Sequence, residues 1–160
     1  MLKQVAIGIG LLGLAGLGMA QPSGGKTDVD EVRLAVFRQQ VAFWLDEHSR
    51  GSKTVVCLAI EDAGVRRSVT KEYLKRFPGE PAVRTGDDCD ERASGAIERG
   101  TGRPAVLLAA GDVAWKSPDE AWVTTRHYRS AAISGVRTQR VVREEARWVC
   151  LGQIIKDMPL

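Results

Sequence analysis

At 160 residues, with 23 basic against 20 acidic side chains and a formal charge of +3, the chain is one domain's worth of sequence close to charge balance. That balance demands neither a nucleic acid nor an anionic membrane surface as partner. The chain is long enough to bury a core without metal or many disulfides, and its three cysteines exclude a disulfide-dense miniature scaffold.

Residues 1–20 read as a secretory signal peptide. Lys3 is the only charged side chain there, an apolar segment runs from Val5 to Gly18, and the small residues Gly18 and Ala20 stand where a signal peptidase needs them. A retained membrane anchor is the competing reading, but the segment falls short of the ~20 residues a spanning helix requires and is diluted by glycine. The run Gly8-Ile9-Gly10-Leu11-Leu12-Gly13 matches the dinucleotide-binding glycine pattern in form only. That motif works where a strand hands over to a helix in a parallel sheet, and a glycine-rich signal segment offers no such junction. Cleavage after Ala20 removes Lys3 alone among the charges, taking the net from +3 to +2, and delivers the chain to the periplasm or the exterior. No other contact with a membrane is expected, nor any with nucleic acid.

A flexible leader follows over 21–28, then a single α+β domain over 29–157. Thr27 or Asp28 can cap a helix in which Leu34, Phe37, Val41, Trp44 and Leu45 recur at three- and four-residue steps, ending near Ser49-Arg50-Gly51. So wide an apolar stripe needs a broad surface, and an antiparallel sheet with one face to fill supplies it. Lys53 to Ile60 is a short strand, apolar on both faces and therefore central or covered on both sides. Glu61 to Arg67 is expected as a loop. Thr70 to Phe77 is a short helix with Tyr73, Leu74 and Phe77 inward, stopped by Pro78-Gly79.

The acidic run Asp87-Asp88-Cys89-Asp90-Glu91 invites a calcium reading, but it lacks the ligand spacing and the glycine of an EF-hand loop. It is expected as a solvated loop that holds no metal ion. In an exported chain the cysteines can oxidise. Pairing Cys57 with Cys89 pins a loop onto a strand and, by the chain-entropy model, stabilises by roughly 3 to 4 kcal/mol. Pairing Cys57 with Cys150, strand to strand, is the alternative, and the unpaired cysteine behaves as a small apolar residue. A nucleophilic cysteine would need a histidine beside it, and neither His48 nor His127 lies in a recognisable nucleophile motif.

From Arg103 to Ile155 the chain reads as an antiparallel meander. Ser94 to Arg99 leads through Gly100-Thr101-Gly102 into a long strand from Pro104, which Gly111-Asp112 interrupts as a bulge. Ser117-Pro118-Asp119 turns the chain into Ala121 to Ser130, whose Trp122 and Tyr128 face is expected to be the partly buried one. Val136 to Arg143 and Arg147 to Ile155 close the last hairpin about Glu144-Glu145-Ala146. The final strand is apolar on both faces, with Trp148, Cys150 and Ile154 of one parity and Val149, Leu151 and Ile155 of the other, so an interior place is expected for it.

A long helix packed on a curved antiparallel meander, with Phe43-Trp44, Cys57, Cys89, Gly102, Trp115, Tyr128 and Arg147-Trp148-Val149 set along it, resembles the cystatin-like and NTF2-like α+β folds. It resembles too the small secreted bacterial proteins of unassigned function built on that plan. The resemblance implies a sheet curled about the helix, a plan that hosts enzymes, carriers and interaction modules alike.

The leading expectation is a non-enzymatic binding or interaction module, with Trp115, Trp122 and Tyr128 lining a pocket for a small apolar ligand or a protein partner, and with no cofactor. The alternative is an NTF2-like enzyme with a polar site in the cone, His127 acting as base beside Asp112 or Glu120. A third possibility is anion recognition through Arg126, Arg129, Arg137, Arg140, Arg143 and Arg147, weakened because Arg140 and Arg143 differ in strand parity.

Overall fold

The structure, a computed structural model, describes residues 25–48 and 53–154. The expected signal peptide and the start of the leader lie outside the described residues. One long helix, α1 (Lys26–His48), is followed by β1 (Val55–Asp62), β2 (Val65–Ser68), a one-turn helix α2 (Lys71–Leu74) and β3 (Val83–Thr85). A 3-10 turn (Gly86–Asp88) leads into the hairpin β4 (Cys89–Arg92) and β5 (Gly95–Glu98). Then come β6 (Ala105–Ser117), β7 (Glu120–Ser130), β8 (Ile133–Glu144) and β9 (Arg147–Gln153). Lys26 to Asp28, expected in the leader, form the first turn of α1, and Thr70 caps α2 by accepting from the Tyr73 amide at 3.1 Å.

The main sheet runs β2-β1-β6-β7-β8-β9, with β3 also on β1, and it is mixed. The antiparallel meander holds from β6 to β9, but β1 pairs parallel with both β6 and β3. That corrects the expectation of a purely antiparallel sheet. A parallel pair needs a crossover of a dozen or more residues, and everything from β2 to β5 supplies it here. Within that crossover the expected loop from Glu61 to Arg67 is instead the end of β1, a tight turn at Ala63-Gly64 and β2.

Alternation along β1 and β6 divides the core in two. Val56 and Leu58 with Val106, Leu108 and Ala110 face α1, where Leu34, Phe37, Val41 and Trp44 meet them and Ala121, Val123 and Val141 continue the floor. Val55, Cys57, Ala105 and Leu107 face the other way, under Cys89 and Ala96 of the β4-β5 hairpin. Both faces of β1 are therefore covered, as its two-sided apolar sequence requires. α1 is fastened to the sheet by the buried Arg33, whose Nε donates to the Gly111 carbonyl at 3.1 Å and whose guanidinium also pairs with Asp62. Gly111 opens the β6 bulge between Ala110 and Val113, and a side chain there would meet the Thr124 carbonyl at 2.9 Å.

The hairpin is fixed to the sheet by the Cys57–Cys89 disulfide, with Cα atoms 6.3 Å apart. Gly95 lets it approach closely, since its φ is +125° and a Cβ there would lie 2.8 Å from the Arg129 carbonyl. The expected strand from Ser94 to Arg99 is β5, whose ladder partner is β4, and the expected hairpin turn at Gly100-Thr101-Gly102 survives as a short one: the Glu98 amide donates to the Arg103 carbonyl at 2.8 Å, the Gly102 amide to the Glu98 carbonyl at 2.8 Å, and Ile97 bridges Pro104. Pro104 has no amide hydrogen with which to extend that ladder. The loop between β5 and β6 closes on Glu98, a buried carboxylate held by Arg103 Nε at 2.8 Å, Arg84 Nε at 2.7 Å and the Thr101 hydroxyl. Arg103 chiefly, against the opposing effect of burial, with Thr101 and Arg84 assisting, takes the Glu98 pKa down to about 2.

The acidic run is not a solvated loop. Asp88 accepts from the Thr85 amide and hydroxyl at 3.1 and 2.7 Å, Asp90 pairs with Arg99 at 2.9 Å, and Glu91 pairs with Arg66. Nor is the last strand interior. β9 is a terminal strand, with Trp148 and Cys150 packed toward α1 while Leu151 is 52% exposed. Its two-sided apolar pattern reads as central, but only one side meets the helix. Glu145 and Ala146, both at positive φ, make its glycine-free turn with β8.

Two outcomes test this frame. Cys57→Ala with Cys89→Ala opens a loop of sequence separation 32, and the guanidinium midpoint is expected to fall by an amount equivalent to ~3–4 kcal/mol. Because Glu98 is depressed from 4.5 to about 2, its contribution is complete above pH 4.5 and lost as pH falls toward 2. Urea midpoints measured across that window should flatten in Glu98→Gln.

Candidate functional site

The side of the sheet facing away from α1 is covered at one end only. There the β4-β5 hairpin sits over β1, β6 and the far end of β7, and the Tyr128 hydroxyl donates to the Arg92 carbonyl at 2.9 Å. Beyond the hairpin no described residue covers the strands, and the bend at the β6 bulge leaves a groove of about 510 Å³. Ala114, Trp122, Thr124, Val136 and Thr138 form much of its lining, with Ile154 at its rim. Trp122, Thr124 and Thr138 come to one face because β7 and β8 pair Trp122 with Arg140 and Thr124 with Thr138, and residues two apart on a strand share a face. Val136 is 54% exposed, so the apolar surface is presented rather than buried.

Electrostatics lock the tryptophan in place. Its indole Nε1 donates to Glu120 Oε1 at 2.9 Å, while Arg140 grips both oxygens of the same carboxylate, each at 3.0 Å. Arg140 first, and Trp122 second, hold the Glu120 carboxyl below its usual range. The Lys116 ammonium lies 4.1 Å from the centre of the Trp122 ring, a cation–π contact. On the other wall Asp112 accepts from the Ala63 amide at 3.4 Å. The groove thus offers a fixed indole, threonine methyl and hydroxyl groups and a valine.

The structure does not bring Trp115, Trp122 and Tyr128 together. Trp122 lines the groove, Tyr128 covers the disulfide cluster, and Trp115 lies on the helix side against Trp148, with ring centres 5.5 Å apart. Nor are His127, Asp112 and Glu120 assembled. His127 is buried beneath Trp44, with ring centres 5.6 Å apart, whereas Glu120 lies on the opposite face in the grip of Arg140. Trp122 and Tyr128 are half-buried as expected, but the other face of β7 is the more deeply buried, with Thr125 and His127 inside. α1 covers the Val123, Thr125 and His127 side, and the polar groups there are accommodated. Gln139, fully buried, donates to the Thr125 hydroxyl at 3.4 Å, and Thr125 donates to the Arg137 carbonyl at 3.3 Å.

The six arginines split as their parity demands. Arg126 pairs with Glu61 at 3.3 Å, Arg140 with Glu120, and Arg143 with Asp28 at 2.9 Å while lying 4.6 Å from the Trp148 ring centre. Sequence reasoning missed Ala114, Val136 and Thr138, which join the groove only through cross-strand register. Cys150 is the free thiol, donating toward Gln39 at 3.4 Å, and burial pushes its pKa up. Among the described residues no group of three or more histidine, cysteine or acidic side chains could hold a metal ion, and no helix is long and apolar enough to cross a membrane. Compared with family models, curated proteins and solved structures, the chain matches none.

Burial first, and Arg137 second, lower the His127 pKa from its ordinary 6.5. The unfolded chain therefore takes up a proton before the folded one as pH drops, and stability should fall once pH passes below about 6.5. Urea midpoints at pH 7.5 and 5.5 measure this, and His127→Gln should narrow the gap between them.

Proposed function

We propose that the protein is an exported, non-enzymatic binding module on the cystatin-like or NTF2-like plan, taking a small, largely apolar molecule in the groove floored by Trp122. One observation carries this reading: the outer sheet face is half covered by a disulfide-pinned hairpin and half bare, and the bare half presents an indole already fixed by Glu120, Arg140 and Lys116. A preset aromatic surface costs a ligand little ordering, and a groove of this size fits a small molecule better than a protein domain. The Thr124 and Thr138 hydroxyls in the lining favour a ligand with a hydrogen-bonding end. Export is supported by the leader-like sequence of residues 1–20 and by the Cys57–Cys89 disulfide, a bond that persists in oxidising compartments.

Anilinonaphthalene sulfonate, flat and apolar with one anionic end, is a direct probe. Saturable fluorescence enhancement is expected with the native chain, weakened tenfold or more by Trp122→Ala and by Val136→Asp, and unchanged by Trp115→Phe on the other face. Equal enhancement in all four proteins would sink the groove as the site.

A further inference from the structure

The Trp122 groove has a polar end, and the β6 bulge sets its chemistry. Register places Ala114 opposite Trp122, and Asp112 stands two residues back along β6 on the same face, roughly 7 Å away at the rise of a strand. The bulge also brings Thr124 alongside: a Cβ on Gly111 would lie 3.7 Å from the Thr124 Cβ, and Thr124 and Asp112 both line the groove. One end of the groove is therefore an indole beside Ala114, and the other is a carboxylate beside a hydroxyl.

Among the described residues no basic side chain pairs with Asp112, whose hydrogen bond comes from the Ala63 amide at 3.4 Å. The cations around it are engaged elsewhere: Arg33 and Arg67 hold Asp62, Arg126 pairs with Glu61 at 3.3 Å, and Arg140 grips Glu120. Arg137 borders the groove, but it lies opposite the buried Thr125 and so belongs to the helix side of β8. Lys116 is at the far end, over the Trp122 ring. We propose that the ligand of this groove is an amine, with a flat apolar body against Trp122 and Ala114 and a protonated amino group received by Asp112 and the Thr124 hydroxyl. Granted the groove as the binding site, the charge and the length of its ligand follow. A carboxylate accepts from an ammonium more strongly than from a neutral donor, and Thr124 Oγ1 accepts another of its hydrogens. Lys116 repels a cation at the indole end, which fixes the direction of the ligand. The separation of roughly 7 Å calls for a spacer of about two carbons between ring and nitrogen.

Three probes with one body, naphthylethylamine, naphthylethanol and naphthylacetate, isolate the charged end when titrated calorimetrically into the full chain at neutral pH. The amine should bind about fivefold more tightly than the alcohol, the size of an ion pair partly open to solvent, and the carboxylate more weakly than either. Asp112→Asn, which keeps an oxygen for the Ala63 amide, should erase the difference between amine and alcohol. Asp112→Lys should place naphthylacetate first. Anilinonaphthalene sulfonate, whose anionic end Asp112 repels, should bind more tightly to Asp112→Asn than to the native chain. Equal binding of amine and alcohol, an amine preference that survives Asp112→Asn, or binding of none of the three overturns the proposal. The groove itself stands or falls separately, on whether Trp122→Ala weakens the sulfonate probe.

Discussion

Everything on the outer face of this protein depends on one cross-link, between the middle of β1 and the start of β4. Cys57 is fully buried in a strand whose alternate residues already serve the core under α1, and the bond from its other side brings the hairpin down on Val55, Ala105 and Leu107. Because β1 lies near one end of the strand order, the cover it anchors reaches β6 and the end of β7 and no further. The bare surface is defined by where the disulfide stops the hairpin. Gly95, with no side chain to hold the β7 backbone away, completes the fit.

Charge is used mainly to fasten elements together. Arg33 joins the helix to the bulge and to β1, Glu98 gathers three donors from two segments, β3 and the β5-β6 loop, and Arg143 links the first turn of α1 to the last hairpin. Exposed pairs of this kind stabilise little individually. The buried ones differ, since removing one partner leaves an uncompensated charge inside the protein.

Much of the fold was legible in the residues, and the failures have identifiable causes. The apolar spacing of Leu34, Phe37, Val41 and Trp44 is helical and nothing competes with it, so α1 was plain. The β6 bulge at Gly111-Asp112 and the turn at Ser117 to Asp119 were equally visible, since each rests on local backbone chemistry. Parallel pairing of β1 with β6 was not, because a pairing across a long crossover leaves no local trace. The inward face of β7 was misread because Trp122 and Tyr128 are large and apolar, while Thr125 and His127 are polar. Trp44 and Gln139, distant in sequence, are what make an interior possible for them. β9 looked central because Val149 and Leu151 are apolar, and a strand's sequence does not register that one of its faces goes uncovered. Of the groove, only Trp122 and Asp112 could be singled out in advance; the rest is assembled by register.

The bulge in β6 also acts as a parity switch. By lodging one extra residue between Ala110 and Val113, it changes which set of alternate side chains faces the helix, so that Val113 and Trp115 join the inner side while Ala114 and Lys116 go outward. A single-residue deletion at Gly111 or Asp112 would leave composition and hydrophobic content almost untouched, yet it would turn Trp115 out into solvent and drive the Lys116 ammonium into the core. The two surfaces of the distal sheet are thus specified by the phase of the chain at one point, and that phase is held by Arg33 bonding the carbonyl of Gly111.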